Sequence, residues 1–194
     1  MKIGIFGGSF NPVHVGHAII ANYVIQHCGL DRLWLMVSPL SPFKVARGEH
    51  YDVERLRMVE MVSNKLEHVE TSGFEFTLPR PSYTADTLNA LKAKFPEHEF
   101  FLIIGADNWV AFDRWDRHEE ILAHHKIMIY PRSGYEIVIP DHLADTVQVI
   151  NAPLVEVSST EIREGLARMN NMSFYLPDDV YHYIIKNKLY LNND

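Results

Sequence analysis

The sequence predicts an α/β protein: a doubly wound, mostly parallel sheet of five or six strands with a small helical C-terminal part. Three observations predict it. Apolar runs rich in β-branched and aromatic residues are short and nearly continuous instead of alternating, as in strands buried on both faces. Stretches of helical periodicity separate these runs, and strands that alternate with helices imply right-handed parallel crossovers. With 194 residues, 47% of them hydrophobic, the chain can bury a real core as one domain spanning residues 1–194.

Taken in order, residues 2–6 (KIGIF) form the first strand and residues 15–28, apolar most of the way round, the first helix. Residues 32–37 (RLWLMV) are the second strand, and 39–50 (PLSPFKVARGEH) reads as a mobile loop. A helix over 52–65 carries Val53, Leu56, Val59 and Val62 at helical spacing. Weaker apolar stretches at 67–70 and 146–150 are candidates for further strands. Helices over 84–94 and 116–124 and strands over 99–104 (EFFLII) and 126–130 (KIMIY) complete the alternation. The last part, about 158–194, is helical. There Ser158 followed by Glu161 makes a capping box, and Pro177 with Asp178 and Asp179 suits a helix opening. Val180, Tyr183, Ile184 and Leu189 form a stripe able to dock on the sheet.

Charge and cysteine usage exclude whole classes. The 18 basic and 25 acidic side chains give a net charge of -7, which argues against a general nucleic-acid-binding surface. Any phosphate must be held locally. The single cysteine, Cys28, excludes an internal disulfide and a Cys-based zinc cluster, fits a reducing compartment, and reads as a small apolar residue at a helix end. No run reaches the roughly 18 apolar residues of a membrane span, and MKIGIFGG lacks signal-like features, so a soluble, cytoplasmic protein is expected. Asn171-Met172-Ser173 matches the glycosylation pattern and is read as chance. A homo-oligomer stays open.

The stretch IFGGSFNPVHVGH, residues 5–17, follows the first strand at the place where open parallel sheets bind ligands. Gly7 and Gly8 let the backbone approach a ligand without a Cβ in the way. With a helix starting near Val15, His14 and His17 lie in its first turn, beside free backbone N–H groups and the positive end of the dipole. Phosphate oxygens suit that position. The pattern is neither G-x-G-x-x-G nor a P-loop, and no third ligand nearby supports a metal site. A second cluster, VSSTEIR at 157–163, sets Ser158, Ser159 and Thr160 around a helix start with Arg163 one turn on, again a set of anion donors.

These two stretches together resemble the nucleotidyltransferase superfamily marked by H/T-x-G-H and I-S-S-T-x-x-R signatures, whose members transfer a nucleoside monophosphate from a nucleoside triphosphate. The signatures fall on His14, Gly16 and His17, and on Ser158, Ser159, Thr160 and Arg163. The middle of the chain, PSYTADTL at 81–88 and IIGADNWVAFDRWDRHEEIL at 103–122, is similar to the bacterial nicotinate mononucleotide adenylyltransferases, and the similarity then runs through almost the whole sequence. The resemblance implies a Rossmann-like fold and joining of ATP to nicotinate mononucleotide, with Mg²⁺ bridging triphosphate oxygens. It also implies an ATP site of Gly7, Gly8, Ser9, Phe10, His14, Gly16, His17, Gly105, Asp107, Ser158, Ser159 and Arg163, with Asp107 near ribose hydroxyls.

By the same resemblance, Tyr83, Thr84 and Trp115 hold the nicotinate end of the acceptor, and Lys44 approaches the phosphates. Physically, Tyr83 and Thr84 at a helix start offer N–H and hydroxyl donors to a carboxylate, while Trp115 offers a face to a pyridinium ring. The implied catalytic set is His14, His17, Lys44 and Arg163. Position 43 is Phe where the family more often has His, which leaves a phosphate contact from that position in doubt. Arg132, in YPR after a strand, is a weaker candidate and stays outside the set. The competing readings are a phosphopantetheine adenylyltransferase or cytidylyltransferase of the same superfamily, and a non-catalytic nucleotide-binding regulator. The preference for nicotinate over nicotinamide mononucleotide is not legible.

Overall fold

The computed structural model describes residues 1–39 and 51–191. Its strands are β1 Lys2–Gly8, β2 Arg32–Val37, β3 Val69–Ser72, β4 Glu99–Gly105, β5 Lys126–Tyr130 and β6 Val147–Val149. They form one sheet in the order β3-β2-β1-β4-β5-β6 with every pairing parallel. Both weaker apolar stretches are therefore strands, one of them starting two residues late. The helices among the described residues are α1 Val15–His27, α2 Asp52–Ser63, α3 Thr84–Lys94, α4 Ala106–Val110, α5 His118–His124, α6 Ser159–Ala167 and α7 Asp178–Lys186. None is long and apolar enough to cross a membrane.

Because successive strand residues point to opposite faces, the continuous apolar runs feed two cores. Leu33, Leu35, Phe101 and Ile103 face one of them, where Ile20 and Val24 of α1, Met58 and Val59 of α2, and Val180 and Ile184 of α7 pack. Ile3, Ile5, Leu102, Ile104, Ile127 and Ile129 face the other, against Leu88 and Leu91 of α3 and Ile121 of α5. The predicted docking of the C-terminal stripe is found: Val180, Ile184 and Leu189 are buried, and Tyr183 packs against the same core. Cys28, the C-cap of α1, also packs there.

One member of a predicted stripe lies outside. Val59 and Val62 are buried and Leu56 packs against the same core, as expected, but Val53 is 68% exposed, and the buried positions of α2 also include Arg55, Met58 and Ser63. At the N-terminal end of the helix Arg55 takes the interior place, because polar partners wait for its guanidinium there.

The chain runs from β1 outward to β2 and β3, then returns to start β4 on the other side of β1. Crossovers diverge at β1 and β4, which opens a crevice at the C-terminal ends of these two strands.

Candidate active site

Beside Gly7, near the end of β1, space is open: a Cβ built there would meet nothing within 4 Å. The chain then turns through Ser9 and Phe10. Phe10 adopts a left-handed φ of 43°, which for a bulky residue stores about 1–3 kcal/mol of strain. Burial holds it there, with its ring 4.9 Å from that of His17 and 5.8 Å from that of Phe6. The wall behind the second histidine is thereby fixed.

As predicted, α1 starts at Val15, with His14 as N-cap and His17 in the first turn. Their rings stack, with centroids 3.7 Å apart and planes at 28°. The backbone N–H of His14 donates to His17 Nδ1 at 3.2 Å, so the neutral His17 ring carries its proton on Nε2 as a donor. His14 is buried; the His17 backbone N–H points toward its side chain in a capping box, but its Nδ1 has no partner of full hydrogen-bond geometry among the described residues. Gly16 makes this possible, since a Cβ there would stand 3.0 Å from the His14 ring. Burial, then the charge of Arg132, push His14 down from 6.5 to about 4. Burial, His14 and Arg132 hold His17 well below its ordinary value. Both imidazoles are neutral at pH 7 in the free protein.

The second motif meets the first. Ser158 is the N-cap of α6, and its Oγ accepts from the Glu161 N–H at 3.1 Å. Ser159 Oγ donates to the carbonyl of Pro12 at 2.9 Å, and Arg163 donates to the carbonyl of Asn11 at 2.7 Å. These bonds fasten the start of α6 to the loop that delivers His14. They also engage the hydroxyl proton of Ser159, so the donors left for a ligand are first-turn N–H groups, the hydroxyl proton of Ser158 and the remaining N–H groups of Arg163.

From the other side comes β4. Gly105 ends it, and a Cβ there would come within 2.3 Å of Asp107 Oδ1 and 3.0 Å of the Tyr130 ring, so no side chain fits. Asp107, in the first turn of α4, pairs with Arg132, Nε to Oδ1 at 3.4 Å. Arg132 also donates to the Tyr130 hydroxyl at 3.4 Å. It lines a small pocket together with His14, Gly16 and His17, joined there by Val155 and Val157 from just before α6. Arg132, a weaker candidate by sequence, is brought to the histidines by the fold.

A second cavity, of about 180 Å³, is lined by Gly7, Gly8, Thr84, Gly105, Trp115 and Tyr130 among others. Phe6 and Tyr130 line both pockets, so the two adjoin. Trp115 packs on Phe112 at 5.2 Å and also lines the cavity. It does so from extended backbone, φ −73° and ψ 142°, after the 3₁₀ turn Phe112–Arg114, so α5 begins at His118 and not at 116. Thr84 is the first residue of α3, and the cap is Tyr83, whose N–H donates to Asp86 Oδ2 at 3.3 Å. Tyr83 is 49% exposed and does not line the cavity. Lys44 and Phe43 lie outside the described residues.

Two further residues were not found from sequence. Arg55 is fully buried, donates to the carbonyls of Ser9 and Ser38, the latter at 2.8 Å, and pairs with Asp52 at 2.6 Å. It ties together the chain leaving β1 and the chain leaving β2. The one signal was its place, four residues before Val59 on the buried phase of α2. Glu75 lines the larger cavity from the 3₁₀ turn Phe74–Thr77, and no local pattern marks it.

A family model described as cytidylyltransferase-like matches residues 5–165. The chain is 47% identical to a protein of Bacteroides fragilis named probable nicotinate-nucleotide adenylyltransferase, over 95% of this chain and 92% of that one. It is 42% identical to a Flavobacterium johnsoniae protein of the same name, over 98% and 99%. Among solved structures, the nicotinic acid mononucleotide adenylyltransferase of Plasmodium falciparum complexed with APC has a TM-score of 0.77 at 21% identity, covering 97% of this chain and 96% of that one. The same enzyme complexed with NaAD has a TM-score of 0.75 at 21% identity, covering 97% of each chain. At that identity the likeness is one of fold.

Proposed function

As the chain belongs to the cytidylyltransferase-like family and, within it, to the nicotinate-nucleotide adenylyltransferases, we propose that it transfers the adenylyl group of ATP to nicotinate mononucleotide, giving nicotinate adenine dinucleotide and pyrophosphate in a step of NAD biosynthesis. One observation carries the reading at the level of chemistry. Two stacked imidazoles, facing Arg132 and fastened to the start of α6, stand next to a cavity walled by Trp115 and Thr84.

In this reading a 5′-phosphate oxygen of the acceptor attacks the α-phosphorus of ATP in line and pyrophosphate leaves. That oxygen is already anionic near pH 7, so no general base is needed. Catalysis consists of aligning two anions and neutralising charge as it moves to the leaving group. The neutral histidines suit this task. An arriving triphosphate offsets the burial that lowers the basicity of His14, whose Nδ1 can then take up a proton, while His17, its Nδ1 held as an acceptor by the His14 N–H, donates from Nε2 as a neutral ring. Arg132 and Arg163 add fixed charge, the α6 start and Ser158 add donors, and Gly7, Gly8 and Gly105 allow close approach. Asp107 is assigned to ribose hydroxyls and Lys44 to the phosphates by family resemblance. The donors around the histidine pair are nitrogens, and the described residues hold no group of three or more His, Cys, Asp or Glu able to grip a metal. By family resemblance Mg²⁺ would be held by the triphosphate's own oxygens, where it would neutralise charge.

The test is pyrophosphate release by purified protein given ATP or CTP with each acceptor in turn. Release with ATP and nicotinate mononucleotide is expected. Release only with phosphopantetheine overturns the acceptor assignment, release only with CTP overturns the nucleotide donor, and ATP binding without release under any acceptor overturns the enzyme.

A further inference from the structure

Glu75 sets an acid inside the space read as the berth of an acid. It lines the cavity of about 180 Å³ together with Thr84, Thr87, Trp115 and Tyr130, and among the described lining residues there is no other carboxylate and no Lys, Arg or His. Thr87 Oγ1 lies 3.1 Å from Glu75 Oε1, and Ser38 hydrogen-bonds the same carboxyl. The Thr87 hydroxyl has a second acceptor, the carbonyl of Tyr83 at 3.3 Å. Its proton can therefore point to an ionised Glu75, or turn to Tyr83 and accept from a protonated one. The surroundings tolerate both states of the acid.

We propose that Glu75 is a specificity-determining residue which reads the acid or amide of the pyridine acceptor with its own proton: neutral, its O–H donates to a nicotinate carboxylate; ionised, it accepts from the N–H of a nicotinamide. This rests on the reading of the cavity as the acceptor site. Two carboxylates in one small cavity with no cation among its described lining residues disfavour joint ionisation, and sharing one proton gives a short charge-assisted hydrogen bond. Burial already raises Glu75 above the ordinary carboxylate range, against the hydrogen bonds from Ser38 and Thr87. Charged groups on the neighbouring elements are engaged elsewhere. Lys94 sits 5.3 Å over the ring of Phe74, and Arg80 lies over Phe76 and 3.6 Å from Asp52. On α3, Asp86 is held by Arg117. Across the cavity, burial raises the Tyr130 hydroxyl, which stays neutral.

The experiment measures kcat/KM for nicotinate and nicotinamide mononucleotide with ATP from about pH 5 to about pH 9, where the acceptor phosphate titrates in both and cancels in the ratio. The ratio of nicotinate to nicotinamide is expected to fall about tenfold per pH unit in the wild type, and to be flat in Glu75→Gln, which cannot ionise. A flat wild-type ratio, or a slope that survives in Glu75→Gln, overturns the proposal. Should the variant fail to fold, calorimetry of each acceptor binding to wild-type protein without ATP, in buffers of different ionisation enthalpy, decides. Near pH 8, uptake of about one more proton with nicotinate mononucleotide is expected, and equal uptake overturns the proposal. Pyrophosphate release with nicotinate mononucleotide separates the two readings: it keeps the proposed function even where Glu75 fails, and its absence removes both.

Discussion

At the scale of single residues, the site is a set of polar groups held in states that water would not favour. His17 touches the aromatic wall of Phe6 and Phe10 on one side and His14 on the other. Replacing it with Ala removes a positioned donor, so turnover is expected to drop at least about a hundredfold while circular dichroism stays native, as for other preorganised donors. Near-normal turnover would end the catalytic assignment. The buried neutral histidines also predict how stability depends on pH. His14 titrates at 6.5 when unfolded and at about 4 when folded, so between those values the unfolded chain binds more protons. Stability therefore falls as pH drops from 6.5 towards 4, by about 3 kcal/mol for His14 alone. His17 acts in the same direction. Urea midpoints at several pH values should show the loss, and His14→Asn should lessen it; an unchanged slope in the variant would refute the cause given.

At the scale of elements, helix starts supply what the side chains do not. Ser158 caps α6 where that helix is bonded to the loop carrying His14. Ser158→Ala is expected to cost about 1 kcal/mol of stability, read from the denaturation midpoint. Gly16 separates propensity from packing. Alanine is favoured over glycine inside a helix by about 1 kcal/mol, but here its Cβ would press on the His14 ring. Gly16→Ala should therefore keep or raise helix content while turnover falls; full activity would mean that the ring can move aside without consequence. The buried phase of α2 teaches the same lesson, since Arg55 enters the interior to satisfy the carbonyls of Ser9 and Ser38. Neither α1 nor α2 betrays these contacts in its own residues.

At the scale of the whole molecule, a chain of net charge -7 gathers Arg132, Arg163 and a pair of stacked histidines at the point where its crossovers diverge. Saturating ATP should raise the unfolding free energy by about 2.7 kcal/mol at a hundredfold excess over Kd, and most of that gain should vanish in Arg132→Ala. An equal gain in the variant would remove Arg132 from the site. Sequence alone is enough for the parallel α/β architecture, the four strands with strong apolar runs and the helix starts at Val15 and Ser159, while the two weaker strands are legible only as candidates. Each of these rests on neighbours within a few positions: apolar runs, turn residues and caps act locally. It took the folded arrangement to bring Arg132 to His14, to bury Arg55 and not Val53, to carry Glu75 to the cavity of Trp115, and to bond Ser159 and Arg163 to the loop before α1. Those contacts join residues far apart in the chain, and they exist because strand order and crossover handedness bring particular strand ends together, which local spacing does not encode.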